Sequence, residues 1–477
     1  MADVILVQPR VGLLDSVKDK PAIPLSLITA ATNLVGMYDV KLIDQRFEGW
    51  CKQLTAELRK NPLCVGVTAM IGPQIKHALE IAQLVKEQSN VPVVWGGSQA
   101  SIMPHETAQH QLVDYVVQGD GEVAFKTLVD GLASNKLPLY PGVFSKNGYR
   151  VDWEQVDLNE QAPPPYHLVD VGRYLPTRFG KPTVDLETSR GCPFNCKFCY
   201  NPQLHRRKWR ALTAARTVDR VTELWADYGV NSFWFIDDEF FVDLERAKTI
   251  IEFMKRMNFT WSVQGTTVHN ALRMDDEFLE LLSRSGCKQL NIGVESGSKL
   301  LLAELDKKVD PADVLTLTEK LGDYGIIPWY YFVVGFPSET EEDFRLTLSL
   351  ITKILTVNRE AKVSGIGCYT PYPCTALLVD SIAKGYVPPS KLEDYATFGV
   401  DEINTPWVLG DRPAYRRIRG AQFTSFFIDN KVRDLKPHWL IRLLSKLYKP
   451  FAIFRFNNQM FGWPLDIELG HRLKKWV

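Results

Sequence analysis

The chain predicts an α/β protein in three parts: an N-terminal doubly wound parallel sheet over 1–135, a partial (β/α)6 barrel over 183–374, and a helical C-terminal region over 375–477. Three observations lead there. Short, continuously apolar runs alternate with amphipathic stretches through the first 135 residues, as when crossover helices cover both faces of a parallel sheet. The same rhythm restarts near residue 183. From about 375 it stops and helical patterns take over.

In the first part the strand candidates are Val4–Val7, Val40–Ile43, Cys64–Thr68, Val91–Trp95 and Val113–Val117. Amphipathic stretches such as Leu25–Leu34, Gln74–Lys86 and Glu122–Leu132 separate them. A ligand of such a sheet sits beyond the C-terminal strand ends. The loops there are Gln8–Pro24, Thr68–Pro73, Gly96–Pro104 and Gly119–Glu122. Residues 136–182 carry Pro138, Pro141-Gly142 and Pro163-Pro-Pro165, which predict a linker with a short hairpin around Asn147-Gly148. In the second part Thr183–Thr188, Ser232–Ile236, Trp261–Val263, Gln289–Val294, Pro328–Val334 and Val363–Tyr369 read as strands. Helical patterns such as Thr217–Tyr228 and Leu244–Met257 lie between them, and catalytic groups of a barrel belong at its C-terminal strand ends.

With 477 residues the chain exceeds one ordinary core. Lys+Arg and Asp+Glu are both 56, so no global field recruits nucleic acid. Eight cysteines in this length make no disulfide framework and fit a reducing compartment; five of them, Cys51, Cys64, Cys287, Cys368 and Cys374, fall mostly in apolar, strand-like contexts. The N-terminal apolar run is too short for a signal peptide, and no stretch approaches the roughly 18–20 residues of a membrane span. A cytoplasmic protein is expected.

The remaining three cysteines carry the chemistry. Cys192-Pro-Phe-Asn-Cys196-Lys-Phe-Cys199 follows the first strand of the second part, with Gly191 ahead of it. Thiolates hold iron–sulfur clusters, and three of them leave one iron of a cubane open. The competing reading is a zinc knuckle; zinc prefers four protein ligands, and no fourth Cys follows, although His205 is near.

This spacing resembles the signature of the radical S-adenosylmethionine (SAM) enzymes. The resemblance implies that SAM chelates the open iron of a 4Fe-4S cluster and is cleaved to a 5'-deoxyadenosyl radical. It places Phe198 beside the adenine. Asp237 and Asp238, after the second strand, stand where the family binds the SAM ammonium; the bland alternative is a helix cap, since Asp243 follows. Glu295, ending the fourth strand, suits the ribose hydroxyls or an ordinary cap. Gly335 would let SAM pass close to backbone, with Ser338 and Glu341 as a capping box. Tyr369 lies on what resembles the closing strand along the adenine.

Val40-Lys-Leu-Ile-Asp44, Val65-Gly-Val-Thr68, Trp95-Gly-Gly-Ser-Gln-Ala-Ser101 and Gln118-Gly-Asp-Gly-Glu122 resemble the cobalamin-binding domain that precedes many radical SAM cores. The alternative is a flavodoxin-like domain that binds nothing or a partner. The resemblance implies cobalamin contacts at Leu25, Ser26, Thr68, Met70, Gly96, Gly97, Ser98, Gly119 and Glu122. Where members often have Gly-Gly-Pro-His, this chain has Gly96-Gly97-Ser98-Gln99. No Asp-x-His-x-x-Gly exists to supply an axial histidine; His77, His105 and His110 read as surface residues. Cobalt is expected to bind without a histidine, with Met70 near its lower face.

Together the parts resemble the cobalamin-binding radical SAM family, which includes methylases of unactivated carbon and the anaerobic magnesium-protoporphyrin ester cyclase. The family's methylthiotransferase cousins carry three more N-terminal cysteines, and only Cys51 and Cys64 are here. The resemblance implies methyl transfer from methylcobalamin to a small-molecule substrate radical, with an electron donor such as flavodoxin or ferredoxin. A cyclase without methyl transfer is the alternative, and a non-catalytic redox sensor the third. Over 431–477 ten Lys/Arg face three Asp/Glu, with aromatics from Trp439 to Trp476 interleaved. This segment reads as a lid on the barrel, with contact to a membrane surface as the less favoured reading.

Overall fold

The computed structural model describes residues 2–15, 19–136, 140–146, 148–149, 153–399, 402–431 and 439–461. The five strands predicted for the first part are present as β1 (Val4–Gln8), β2 (Val40–Asp44), β3 (Cys64–Thr68), β4 (Val93–Gly96) and β5 (Tyr115–Val117). They are parallel and ordered β2-β1-β3-β4-β5. The order reverses beside β1, opening a crevice at the C-terminal ends of β1 and β3. Val residues dominate these strands because both faces are covered: Ile5, Val65 and Val93 pack on one side and Leu6, Cys64 and Val94 on the other.

The connector is more than a linker. Its hairpin, β6 (Val143–Ser145) and β7 (Gly148–Tyr149), extends the sheet antiparallel to β5, so the first domain runs past residue 135. Residue 147, at the expected turn, lies outside the described residues.

The second sheet is also parallel, in sequential order β8 (Val184–Leu186), β9 (Ser232–Phe235), β10 (Thr260–Thr267), β11 (Cys287–Glu295), β12 (Ile327–Val334) and β13 (Lys362–Val363). The predicted last strand is broken: β14 (Gly367–Cys368) pairs separately with β12. Helices on the outer face are capped by Asp243, Asp275, Ser298 and Asp310, each accepting a backbone N–H of the first turn. The expected box of Ser338 and Glu341 sits two residues later, between Thr340 and Asp343.

The described residues of the C-terminal region are largely helical, as predicted, and bridge both sheets. Tyr386, Leu392, Tyr395 and Phe398 complete the core on one face of the first sheet. Ile418, Ala421, Ala452 and Phe456 join the barrel core. The C-terminal ends of the two sheets consequently face one another: helix Ser98–Ile102, after β4, packs against helix Asn201–Leu204, directly after Cys199.

Candidate active site

The cysteine loop leaves β8 under tight control. Asp237, fully buried after β9, accepts from the Thr188 N–H (2.6 Å), the Thr188 hydroxyl (2.9 Å) and the Ser189 N–H. Arg246 donates to the Thr188 hydroxyl at 2.9 Å. Burial raises the Asp237 carboxyl to about 6, against the pull of Arg246 and these donors. The acid expected on the SAM ammonium therefore has its acceptors taken by the loop it organises. Neither it nor Asp238 caps a helix; Asp243 does.

Gly191 has φ +86°, and the Lys208 carbonyl lies where a Cβ would stand, so only glycine fits there. Its N–H donates to Asp238 at 2.7 Å, which leaves that carboxylate beside the loop and partly open to solvent. Further along, the Lys197 N–H reaches the Leu305 carbonyl (3.0 Å) and the Lys197 carbonyl accepts from Leu377 (2.9 Å). The loop is held from both sides while its three thiols stay half-buried and unbonded to one another.

Burial pushes the Cys192 and Cys199 thiols up to about 12 and raises Cys196 as well, where nearby Lys307 opposes it. Iron must displace those protons. Among the described residues no three His, Cys, Asp or Glu side chains converge tightly enough to hold one metal ion. Three thiolates on one loop suit a cubane, in which each takes a different iron. His205 faces Asp238 at 3.7 Å, and burial lowers its pKa.

Lys307 was not singled out in the sequence, where it is one lysine in a Lys-Lys pair. It is buried against Glu295, with Nζ 3.1 Å from Oε1. Burial works against its charge, but Glu295 and the Cys196 thiol hold it above the usual lysine range. Glu295 itself adopts φ +72° at the end of β11. An acid and a base thus sit beside the cysteines, able to meet the polar groups of an amino acid or a ribose. Phe198 and Tyr369 meet the same aromatic ring, Phe336, at 5.7 and 5.2 Å between centroids. Gly335 does not open toward a ligand: Cys368 and Val408 fill the space above it, and Trp407 donates to its carbonyl at 3.0 Å.

On the first sheet, Thr68, Met70, Gly96, Gly97, Ser98 and Gly119 lie at or just beyond C-terminal strand ends, and Leu25 and Ser26 open the helix Leu25–Ala30. Ser26 and Met70 are exposed, and the Ser26 hydroxyl reaches Thr68 at 3.4 Å. Two glycines have a different occupant. A Cβ on Gly97 would meet Thr68 and Ala69, and one on Gly119 would enter the Trp153 ring. Glu122 is turned away from the crevice to Arg190, two residues before Cys192.

That arginine joins the two domains. It contacts Asp120 (2.9 Å), Glu122 (2.8 Å) and Glu187 (2.7 Å), while Arg210 reaches Asp120 at 2.7 Å. Burial disfavours the Asp120 charge, but Arg190 and Arg210 hold its carboxyl below the usual range. Gln99, at the position where the sequence departs from the family pattern, is fully buried with both ends of its amide unpartnered among the described residues. A buried amide of this kind calls for a partner that the described residues do not supply. His77 pairs with Glu80, His105 stacks edge-on against Phe144 and His110 meets Glu393, all away from the strand ends.

A model of the radical SAM superfamily matches residues 186–351, and one of the B12-binding domain matches residues 9–129. The chain belongs to the cobalamin-binding radical SAM enzymes. A 4Fe-4S cluster, SAM and cobalamin are its cofactors. This radical SAM enzyme is 27% identical over 452 residues to an uncharacterised methyltransferase of Pyrococcus horikoshii, covering 92% of this chain and 95% of that one. It is 25% identical to the cytidylyl-2-hydroxyethylphosphonate methyltransferase of Streptomyces wedmorensis, over 84% and 86% of the two chains. Its fold is similar to the radical SAM methyltransferase TsrM of Kitasatospora setae, solved with tryptophan and a SAM analogue, with a TM-score of 0.65, 20% identity and coverage of 86% and 88%.

Proposed function

We propose that this enzyme methylates an unactivated carbon of a small-molecule substrate. The observation that carries the reading is the meeting of the two sets of C-terminal strand ends, joined through Arg190, Asp120 and Glu122. When bound, the reduced cluster supplies the electron for reductive SAM cleavage and cobalamin supplies a methyl carrier.

The polypeptide's share is to hold and orient. Cys192, Cys196 and Cys199 would hold the cluster on a loop pinned by Asp237. Asp238, Glu295, Phe198 and Tyr369 would contact SAM, with the Lys307 ammonium beside Glu295 balancing the carboxylate. Leu25, Ser26, Thr68, Met70, Gly96 and Ser98 would line the cobalamin crevice, with cobalt free of any protein histidine. The relatives named above are methyltransferases, which favours methyl transfer over ring formation. A low-potential electron donor of the flavodoxin or ferredoxin class and a cytoplasmic setting complete the reading.

The test is product analysis with methyl-labelled SAM. Methyl transfer gives 5'-deoxyadenosine and S-adenosylhomocysteine in comparable yield, with label in the product. Deoxyadenosine alone, with an unlabelled product, would assign the chain to the cyclases instead.

A further inference from the structure

Helix Trp439–Asn457 is apolar on two opposite faces. Its inner face, with Ser445, Ala452 and Phe456, is buried against helices Arg412–Ser425 and Glu341–Val357. Its outer face carries Leu443, Leu444, Leu447, Phe451 and Phe454, all between 47% and 69% exposed. At helical spacing these five fall within an arc of about 100°, centred opposite the buried side. Met460, 52% exposed, follows beyond the helix end. A lid would turn its apolar residues inward, and this helix already has a separate set that does so. Contiguous exposed apolar surface of this kind marks an interaction site.

Charge indicates the occupant. The helix contains no acidic residue. Over 412–461 there are eleven Lys/Arg against two Asp, in a chain whose totals balance at 56 and 56. Lys431 and Arg455 are buried and serve the interior, but Arg412, Arg416 and Lys446 are exposed. No described helix is long and apolar enough to cross a membrane. Leucines and phenylalanines on one stripe, with the exposed Lys446 on the same helix, are what an in-plane helix presents to acyl chains and anionic headgroups.

We propose that the outer face of helix Trp439–Asn457 docks this enzyme on an anionic lipid bilayer, lying in the interface rather than spanning it. The inference is independent of which reaction the enzyme performs. Full-length, cofactor-loaded protein is mixed with vesicles of phosphatidylcholine, with or without phosphatidylglycerol, and floated on a density gradient. The protein is expected to float with the phosphatidylglycerol vesicles and much less with phosphatidylcholine alone. The combined variant L447E/F451E/F454E is expected to lose more than about tenfold in bound fraction at an unchanged melting temperature, since all three side chains are exposed. R416E/K446E tests the electrostatic part separately and is expected to weaken flotation with the anionic vesicles only. Absence of flotation, or flotation that neither variant reduces, would overturn the proposal. So would a concentration-dependent dimer that L447E/F451E/F454E converts to monomer, which would make this face a contact between copies of the chain.

Discussion

The loop after β8 and the loop after β5 meet across the domain boundary, yet they are built on different logic. The first carries its function in side-chain identity: three thiols at set spacing, with a glycine and two carboxylates to hold their backbone. The second resembles a cofactor loop just as closely, but its glycine makes room for Trp153 and its two acids grip Arg190 and Arg210. A cluster bound by covalent ligands leaves its mark in residue types. A cofactor held by backbone and shape leaves its mark mainly in the fold.

The widest separation between the loops is expected from the cysteines. Changing Cys192, Cys196 or Cys199 to Ala should drop iron from about four per chain toward zero. Cobalamin bound to the first domain should remain, as its visible absorbance will report. Full iron content in the combined Ala variant would break the assignment.

Arg190→Met should couple the two loops. It strands Asp120, Glu122 and Glu187 without their shared cation, at a cost of about 3–5 kcal/mol, read as a lowered unfolding midpoint in urea. Both cofactors should be held less well, because the arginine serves both sides. A loss confined to the cluster would show that the second loop is indifferent to its partner.

Glu239 offers a smaller effect within the first loop's surroundings. It is fully buried, and burial raises its carboxyl to about 7. The folded state then binds a proton that the unfolded state has released, so stability falls as pH rises from about 4.5 to about 7. The total is about 3 kcal/mol, present in full below that window and lost above it. Melting of the metal-free protein across this range checks it, and Glu239→Gln should flatten the slope.

Gly119→Ala should cost about 2 kcal/mol, from the left-handed backbone and the displaced Trp153 ring. Its thermal midpoint should fall while cobalamin affinity of the folded fraction holds. A selective loss of cobalamin would restore this glycine to the ligand side of the crevice.

Both sheets were legible because buried parallel strands must be written as continuous apolar runs. The break in the last strand was not, since two-residue strands carry too little periodicity; the hairpin near Gly148 was marked by its turn residues, but its pairing with β5 was not. Among site residues, the three thiols share one loop after β8, and Phe198 and Tyr369 meet at the Phe336 ring. Asp237 and Glu122 are engaged within the protein, by Thr188, Ser189 and Arg190. A carboxylate in a sequence announces that it will be satisfied, not by whom; Thr188 and Arg190 lie far along the chain from the acids that hold them. Lys307 gave no signal, because what distinguishes it is its enclosure against Glu295; Gln99 stood out only as a departure from the family pattern, and its burial was not legible.

The arginine bridge also sets an order of events in the life of the chain. Synthesis proceeds from the N-terminus, and domains generally fold as they emerge. Asp120 and Glu122 are therefore available before Arg190 leaves the ribosome, and Arg190 arrives just ahead of the cysteines. The first domain becomes a template on which the nascent cysteine loop is moored, so iron delivery meets a cradle already anchored at one end.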